Sequence, residues 1–278
     1  MTLRVTILGC GSSGGVPRIG PDWGACDPAN PRNRRRRCSI LVERIGPGGS
    51  TRVLVDASPD MRAQLLDVEV GALDAVILTH EHADHTHGLD DLRAVALRMR
   101  RRVPVWMDEV TARVVKARFG YCFVTPPGSQ YPPIVEDRRI DIGRAVAIEG
   151  AGGALEPVPF RQFHGDIDAL GLRFGRMAYS SDINGVPDES LAQLRDLDLW
   201  IVDALRYTPH PSHFSVSETL AWIQRLAPKR AILTNMHLDL DYETLRRELP
   251  AHVEPAFDGM RVALPYDGTA SAGPPFGP

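Results

Sequence analysis

The chain has 278 residues, 43% of them apolar and 24% charged, which is enough for a substantial buried core and argues against a disordered polyelectrolyte. A formal net charge of -3 gives no support to a broad nucleic-acid or membrane-binding surface, although local basic clusters stay open. No apolar stretch approaches the length needed to cross a bilayer.

The opening MTLRVTILGC reads as a β-strand and not as a signal peptide, since it lacks a basic start, a long apolar run and a small-residue cleavage site. Cys10, Cys26, Cys38 and Cys122 lie far apart and form no CxxC pair, so reduced thiols and a cytoplasmic location are expected. The first strand runs into GCGSSG, Gly9 to Gly14, a literal GxGxxG. A dinucleotide-binding turn also needs a helix to begin there, whereas Val16-Pro17 and a proline- and arginine-rich loop follow. The glycines are therefore expected to let backbone pass close to a neighbour or an anion. Arg34 to Arg37 could grip phosphate through guanidinium forks, or form a solvated basic loop.

Next, CSILVERI and TRVLVDAS read as consecutive strands joined by the hairpin chemistry of Pro-Gly-Gly-Ser. DAVILTH delivers a histidine cluster, RMAYSSD delivers Asp182, DLWIVDAL delivers Asp203 and KRAILTNMH delivers His237. Helical segments are predicted at about 59–67, 89–100, 109–118, 188–196, 215–227 and 241–248, the fifth entered through Ser215 or Ser217 with Glu218 close behind. Strands with interspersed helices indicate a layered α/β domain, with residues of chemical interest repeatedly placed just after strands. We expect one domain over residues 1–266 and a disordered glycine- and proline-rich tail over 267–278.

The cluster THEHADHTHG has the spacing His80-x-His82-x-Asp84-His85. It is not the helical zinc-protease pattern, which needs histidines four apart around a glutamate. In an extended segment His80 and His82 project to one side, and a turn then redirects Asp84 and His85 toward a second ion. Imidazole with carboxylate suits zinc, manganese or iron. His164, Asp182 and His237 arrive later in the chain, each at or near a strand end. His87 falls outside the pattern and is expected to support the ligands from behind or to be merely structural.

This distribution resembles the metallo-β-lactamase superfamily, whose HxHxDH signature is matched without a gap. The resemblance implies a four-layer αββα sandwich with a binuclear metal site along one edge of the paired sheets. It assigns His80, His82 and His164 to one divalent ion, and Asp84, His85 and a late histidine to the other, with Asp182 bridging. Related phosphodiesterases carry Thr-His in the last strand, where this chain has Thr234-Asn235; the role passes to His237, two residues on and on the same side of an extended strand, with Asn235 as the substitute. Asp56 resembles an aspartate that supports the ligands from behind; a plain strand-end role is the alternative for it, as for Asp203.

Two zinc or manganese ions about 3.5–4 Å apart can activate water by lowering its pKa toward about 7, with Asp84 among the groups at the reacting centre. They supply no proton for a poor leaving group, so a general acid is needed. LGCGSSGGVPRIG, RRCS and HPSH resemble the phosphodiesterase branch that includes phosphoribosyl 1,2-cyclic phosphate phosphodiesterase, and that likeness makes His213 the general acid or phosphate donor. A loop histidine capping the following helix is its alternative reading. His210 and Arg206 are weaker candidates for substrate contact. The structural zinc of that branch needs a cysteine group, of which only Cys26 is present here, so none is expected. The resulting expectation is hydrolysis of a small, cyclic or nucleotide phosphate ester, with no membrane partner, no nucleic-acid partner and room for a homodimer. Rival readings are a tRNA 3′-end processing endonuclease, a thioester or lactone hydrolase, and a non-catalytic metal-containing carrier.

Overall fold

Alternating side chains set the two faces of the first sheet. In β2 (Ser39–Gly46) and β3 (Gly49–Val55), Ile40, Val42, Val53 and Val55 belong to one buried cluster, and Leu41 and Leu54 to another. In β4 (Ala75–Ile77), Ala75 and Ile77 join the first cluster and Val76 the second. Strands apolar on both faces must be covered on both. The computed structural model, which describes residues 1–268, meets that demand with a second sheet on one face and helices on the other.

With β1 (Thr2–Gly9), β5 (Val103–Met107), β6 (Val135–Arg139) and β13 (Arg261–Pro265), these strands form a seven-stranded sheet in the order β13-β1-β2-β3-β4-β5-β6. The second sheet comprises β7 (Val158–His164), β8 (Ile167–Phe174), β9 (Met177–Ser180), β10 (Leu199–Asp203), β11 (Ala231–Thr234) and β12 (Val253–Pro255), in the order β12-β11-β10-β9-β8-β7. The helices are α1 (Met61–Asp67), α2 (Ala83–Thr86), α3 (Leu92–Met99), α4 (Glu109–Phe123), α5 (Val216–Leu226) and α6 (Tyr242–Glu248). Met61, Leu92, Val95 and Val115 pack with Leu41, Leu54 and Val76. Ile223 of α5 and Leu245 of α6 join the cluster that holds Trp200 and Ile232. The result is the four-layer αββα sandwich expected from the sequence.

The β2–β3 hairpin turns at Pro47-Gly48, with Gly46 opposite Gly49. Helix α5 starts in a capping box, Ser215 accepting from the Glu218 backbone while the Glu218 side chain accepts from the Ser215 backbone. Two elements differ from expectation. Residues Asp188–Leu194 form a 3₁₀ helix, and α4 runs on to Phe123 across a kink at Phe119. Apart from Asp267 and Gly268, the tail expectation falls outside the described residues. No helix among those residues is long and apolar enough to cross a membrane.

Strand direction positions the chemistry. β3 pairs parallel with β4, and β10 pairs parallel with both β9 and β11. Asp56, Thr79, Asp182, Asp203 and Asn235 therefore all stand at or just past the carboxyl ends of parallel strands, the edge where α/β sheets collect ligands.

Candidate metal centre

Three imidazoles converge first. His80 Nε2 lies 3.0 Å from His82 Nδ1, and His164 Nε2 lies 3.1 Å from the same atom. Three ring nitrogens turned toward one point cannot all be satisfied by sharing protons among themselves, but they suit a cation. Their far sides fix which nitrogen is free. His164 Nδ1 donates to the Ser212 carbonyl over 2.7 Å, which leaves Nε2 as the acceptor. His80 Nδ1 lies 3.0 Å from Thr79 Oγ1, which in turn donates to Asp56. Burial, with the neighbouring His85 and the other imidazoles, holds the His80 pKa well below the usual histidine range, so the ring is neutral and ready to ligate.

A more acidic half lies beside it. His85 opens Nε2 toward Asp182 Oδ1 at 3.0 Å and Asp84 Oδ2 at 3.4 Å, while its Nδ1 meets Asp56 Oδ2 at 2.8 Å. His85 Nε2 and Asp182 Oδ1 are buried and have no hydrogen-bond partner, which marks a place prepared for another group. Burial disfavours charge on His85, but Asp182, Asp56 and Asp84 outweigh it and raise its pKa well above the ordinary value. His80, His85 and Asp182 form one compact set of ligand atoms, and His80, His82 and His164 form another. The donors present therefore fit divalent metal, and Asp182 belongs to the set that adjoins the three imidazoles.

Asp56 organises both halves. It sits just after β3 with a left-handed backbone (φ 66°) and is fully buried. Its carboxylate holds His85 directly and reaches His80 through the Thr79 hydroxyl, while the Thr79 backbone N–H donates to it over 2.8 Å. Thr79 escaped the sequence reading; its place one residue before the signature histidine was the available signal.

The other wall belongs to the segment 203–213. His213 Nδ1 lies 2.7 Å from Asp203 Oδ2, and His213 also falls within ligand distance of His164 and Asp182. Burial lowers the His213 pKa, yet the Asp203 carboxylate and its hydrogen bond, with Asp182 behind, carry it up to about 9. The His210 ring lies 5.1 Å from that of His213 at a tilt of 50° and accepts from Ser212, and Arg206 folds onto the Thr208 and Pro209 carbonyls. Both line a cleft of about 290 Å³ together with Ser12, Ser13, Arg18, His82, Asp84, His164, Asp182, His213, Asn235 and His237.

His237 shares that cleft but does not join the ligand sets. Its Nε2 accepts from Arg18 Nη2 and its Nδ1 faces Asp239 Oδ2 at 3.0 Å. Strand β11 ends at Thr234, and Asn235 takes a left-handed backbone (φ 58°), so side-chain parity is broken before His237. The Asn235 amide nitrogen instead lies 3.2 Å from His213 Nδ1. His87 packs its ring edge-on against Phe119, 5.4 Å between centroids.

The early decoys resolve into packing. A Cβ on Gly9 would stand 2.1 Å from the Arg37 carbonyl and one on Gly11 2.9 Å from the Arg35 carbonyl, so both glycines permit close backbone passage. Within the arginine run, Arg34 lies over the Trp23 ring, Arg36 pairs with Asp67 and Asp258, and Arg37 pairs with Asp60. Arg35 is only 1% exposed and donates to the His237 and Leu240 carbonyls and to Asn33 Oδ1, clipping the early loop to the loop after β11. Arg35→Ala orphans these buried acceptors at about 1–3 kcal/mol each. Thermal unfolding is expected to show a Tm lower by roughly 5–10 °C, whereas Arg34→Ala, on an exposed residue, is expected to change stability by at most about 0.5 kcal/mol.

With this geometry in view, the comparisons with known proteins are direct. Residues 51–236 match the beta-lactamase superfamily domain. The chain belongs to the metallo-β-lactamase superfamily. A diphosphatase of the PhnP family is similar in structure, at 36% identity and a TM-score of 0.85, over 95% of this chain and 98% of that one. Zn(2+)-bound PqqB from Methylobacterium extorquens shares the fold at 19% identity and a TM-score of 0.69, over 93% of this chain and 99% of that one. A Porphyromonas gingivalis protein named octanoyltransferase is 31% identical over 96% of this chain, but the match spans only 52% of that longer protein. The chain is thus a metallo-β-lactamase-fold protein related to a PhnP-family diphosphatase, in a superfamily made up mostly of hydrolases, with a histidine–aspartate cluster suited to divalent metal.

Proposed function

We propose that this protein is a binuclear metal-dependent phosphodiesterase that hydrolyses a small phosphate ester, such as a phosphoribosyl cyclic phosphate or a nucleotide. The observation that carries the reading is the meeting, in one cleft, of the metal-ligand cluster with His213 backed by Asp203. His80, His82 and His164 would hold one ion and Asp84 and His85 a second, with Asp182 available to both. Such ions lower the pKa of water toward about 7 and polarise a phosphoryl oxygen.

The remaining work falls to the chain. Asp56 and Thr79 keep His80 and His85 in the tautomers that present Nε2 to the cleft. The Ser212 carbonyl does the same for His164. His213, protonated through its pairing with Asp203, donates a proton to the departing oxygen. His210 and Arg206 border the space where the leaving group emerges. The buried free cysteines fit a reducing compartment, and we place the protein in the cytoplasm.

Metal removal tests the reading in two ways. Dialysis against a chelator is expected to abolish hydrolysis of bis(p-nitrophenyl) phosphate. It is also expected to lower Tm by several degrees, because saturating a site at 100 times its Kd contributes about 2.7 kcal/mol. Zinc or manganese should restore both. Retained phosphodiester hydrolysis at undetectable metal content would overturn the proposal.

A further inference from the structure

One side of the cleft has polar groups that the metal centre does not use. Ser12 Oγ is buried, with 5% of the residue exposed, and has no partner among the described residues. Arg18 lines the same cleft and is an exposed residue with no carboxylate within ion-pair distance among the described residues. Arg18 is nonetheless held in place. Its backbone exchanges hydrogen bonds with Asp22, N to O at 2.9 Å and O to N at 3.2 Å. Its side chain lies along Gly14, where a Cβ would meet Nε at 3.1 Å and Cγ at 3.3 Å. One terminal nitrogen donates to His237 Nε2, and His237 Nδ1 lies 3.0 Å from Asp239 Oδ2.

The chemistry of this wall is that of an anion site. A guanidinium can only donate, so His237 Nε2 is the acceptor, and an imidazole acceptor leaves the Arg18 charge uncancelled. Arg206, the other arginine of the cleft, directs its Nε and one terminal nitrogen to carbonyls of its own loop. A held guanidinium without a carboxylate partner, in one cleft with an unpartnered hydroxyl, suits a phosphate through charge-assisted hydrogen bonds.

We infer that Arg18 and Ser12, with His237 and Asp239 as positioning residues, form a subsite for a second phosphoryl group of the substrate. That group is not the one attacked. The substrate class is a diphosphate diester, in which one phosphorus lies at the metal ligands and its neighbour across the bridging oxygen faces Arg18. Water adds to the attacked phosphorus, the P–O–P bond breaks, and the bridging oxygen leaves on the second phosphate after taking a proton. This inference rests on the phosphodiesterase reading above.

The test compares bis(p-nitrophenyl) phosphate, which has one phosphorus, with ADP-ribose, which has two, on the metal-loaded full chain. Arg18→Ala should lower kcat/KM for ADP-ribose about 10- to 100-fold more than for the aryl diester, chiefly through KM. Arg18→Lys should recover part of the loss. His237→Ala should shift the same ratio in the same direction with metal content retained. Equal losses on both substrates, or none on either, would overturn the subsite while leaving the hydrolase reading intact. If the wild type cleaves neither substrate, the hydrolase reading fails, and calorimetric binding of pyrophosphate decides the subsite. It should be about 10-fold or more weaker in Arg18→Ala, and equal binding refutes the assignment.

Discussion

Asp182→Asn is expected to remove most bound metal and to lower phosphodiester hydrolysis by more than the roughly 100-fold typical of losing a group behind the ligands. Asp182 is the side chain shared by the set containing His80 and His85 and by the set containing His164 and His213. Its two oxygens divide the work, Oδ1 at 3.0 Å from His85 Nε2 and Oδ2 at 3.8 Å from His164 Nε2. Burial would push its carboxyl pKa up, but the neighbouring His85, with His80 and His213, outweighs burial and holds the pKa well below the usual range. The native group is therefore an anion, and asparagine keeps its shape while removing the charge that bound metal would meet. Elemental analysis and steady-state kinetics on the same preparation check this. Asp56→Asn supplies the scale, with an expected loss of about 10- to 100-fold, because it touches no ion site directly and acts through His85 and Thr79. An Asp182→Asn protein with wild-type metal content and activity would move the centre elsewhere.

Much of this centre was legible in the chain because local spacing suffices where a motif lies within one loop. His80, His82, Asp84 and His85 fall within one six-residue span just after β4, and His164 and Asp182 stand at strand ends. A layered α/β domain was legible from strands alternating with helices, whereas the pairing of two sheets into a sandwich came only with the family resemblance. Legibility failed where backbone geometry departed from the regular period. The inference from Asn235 to His237 assumed an extended strand, but β11 stops at Thr234 and the left-handed Asn235 redirects the chain. The arginine run misled for another reason. Four adjacent charges look alike in sequence, yet long-range packing buries Arg35 against the carbonyls of residues 237 and 240 and leaves Arg34 exposed. Arg18 carried no local signal, because its importance comes from meeting His237, 219 positions away.

The second large effect is expected at His213, and its size should depend on the leaving group. His213→Ala should lower kcat by about 10²–10⁴-fold for an ester whose leaving group is a sugar alkoxide, which needs a proton as the bond breaks. For p-nitrophenolate, a stable anion, the loss should be much smaller. This contrast separates proton donation from ligation, which matters because His213 also lies among the ligand atoms of His164 and Asp182. A ligand role predicts metal loss and equal damage to both substrates; an acid role predicts retained metal and unequal damage. The Asp203 pairing adds a pH signature. Asp203 raises the His213 pKa, which stands at about 9, so the donor form is present below that value and is lost as pH rises through it. In Asp203→Asn the raising charge is gone, and the alkaline limb of kcat for the sugar ester should move to lower pH. Burial drives the Asp203 carboxyl itself up to about 7 despite His213, so this anion depends on its partner's proton, and the two groups act as a unit. The double variant should therefore lose little more than His213→Ala alone, since removing the donor already removes what Asp203 acts upon. Strict additivity of the two losses would show that Asp203 does its work elsewhere in the fold.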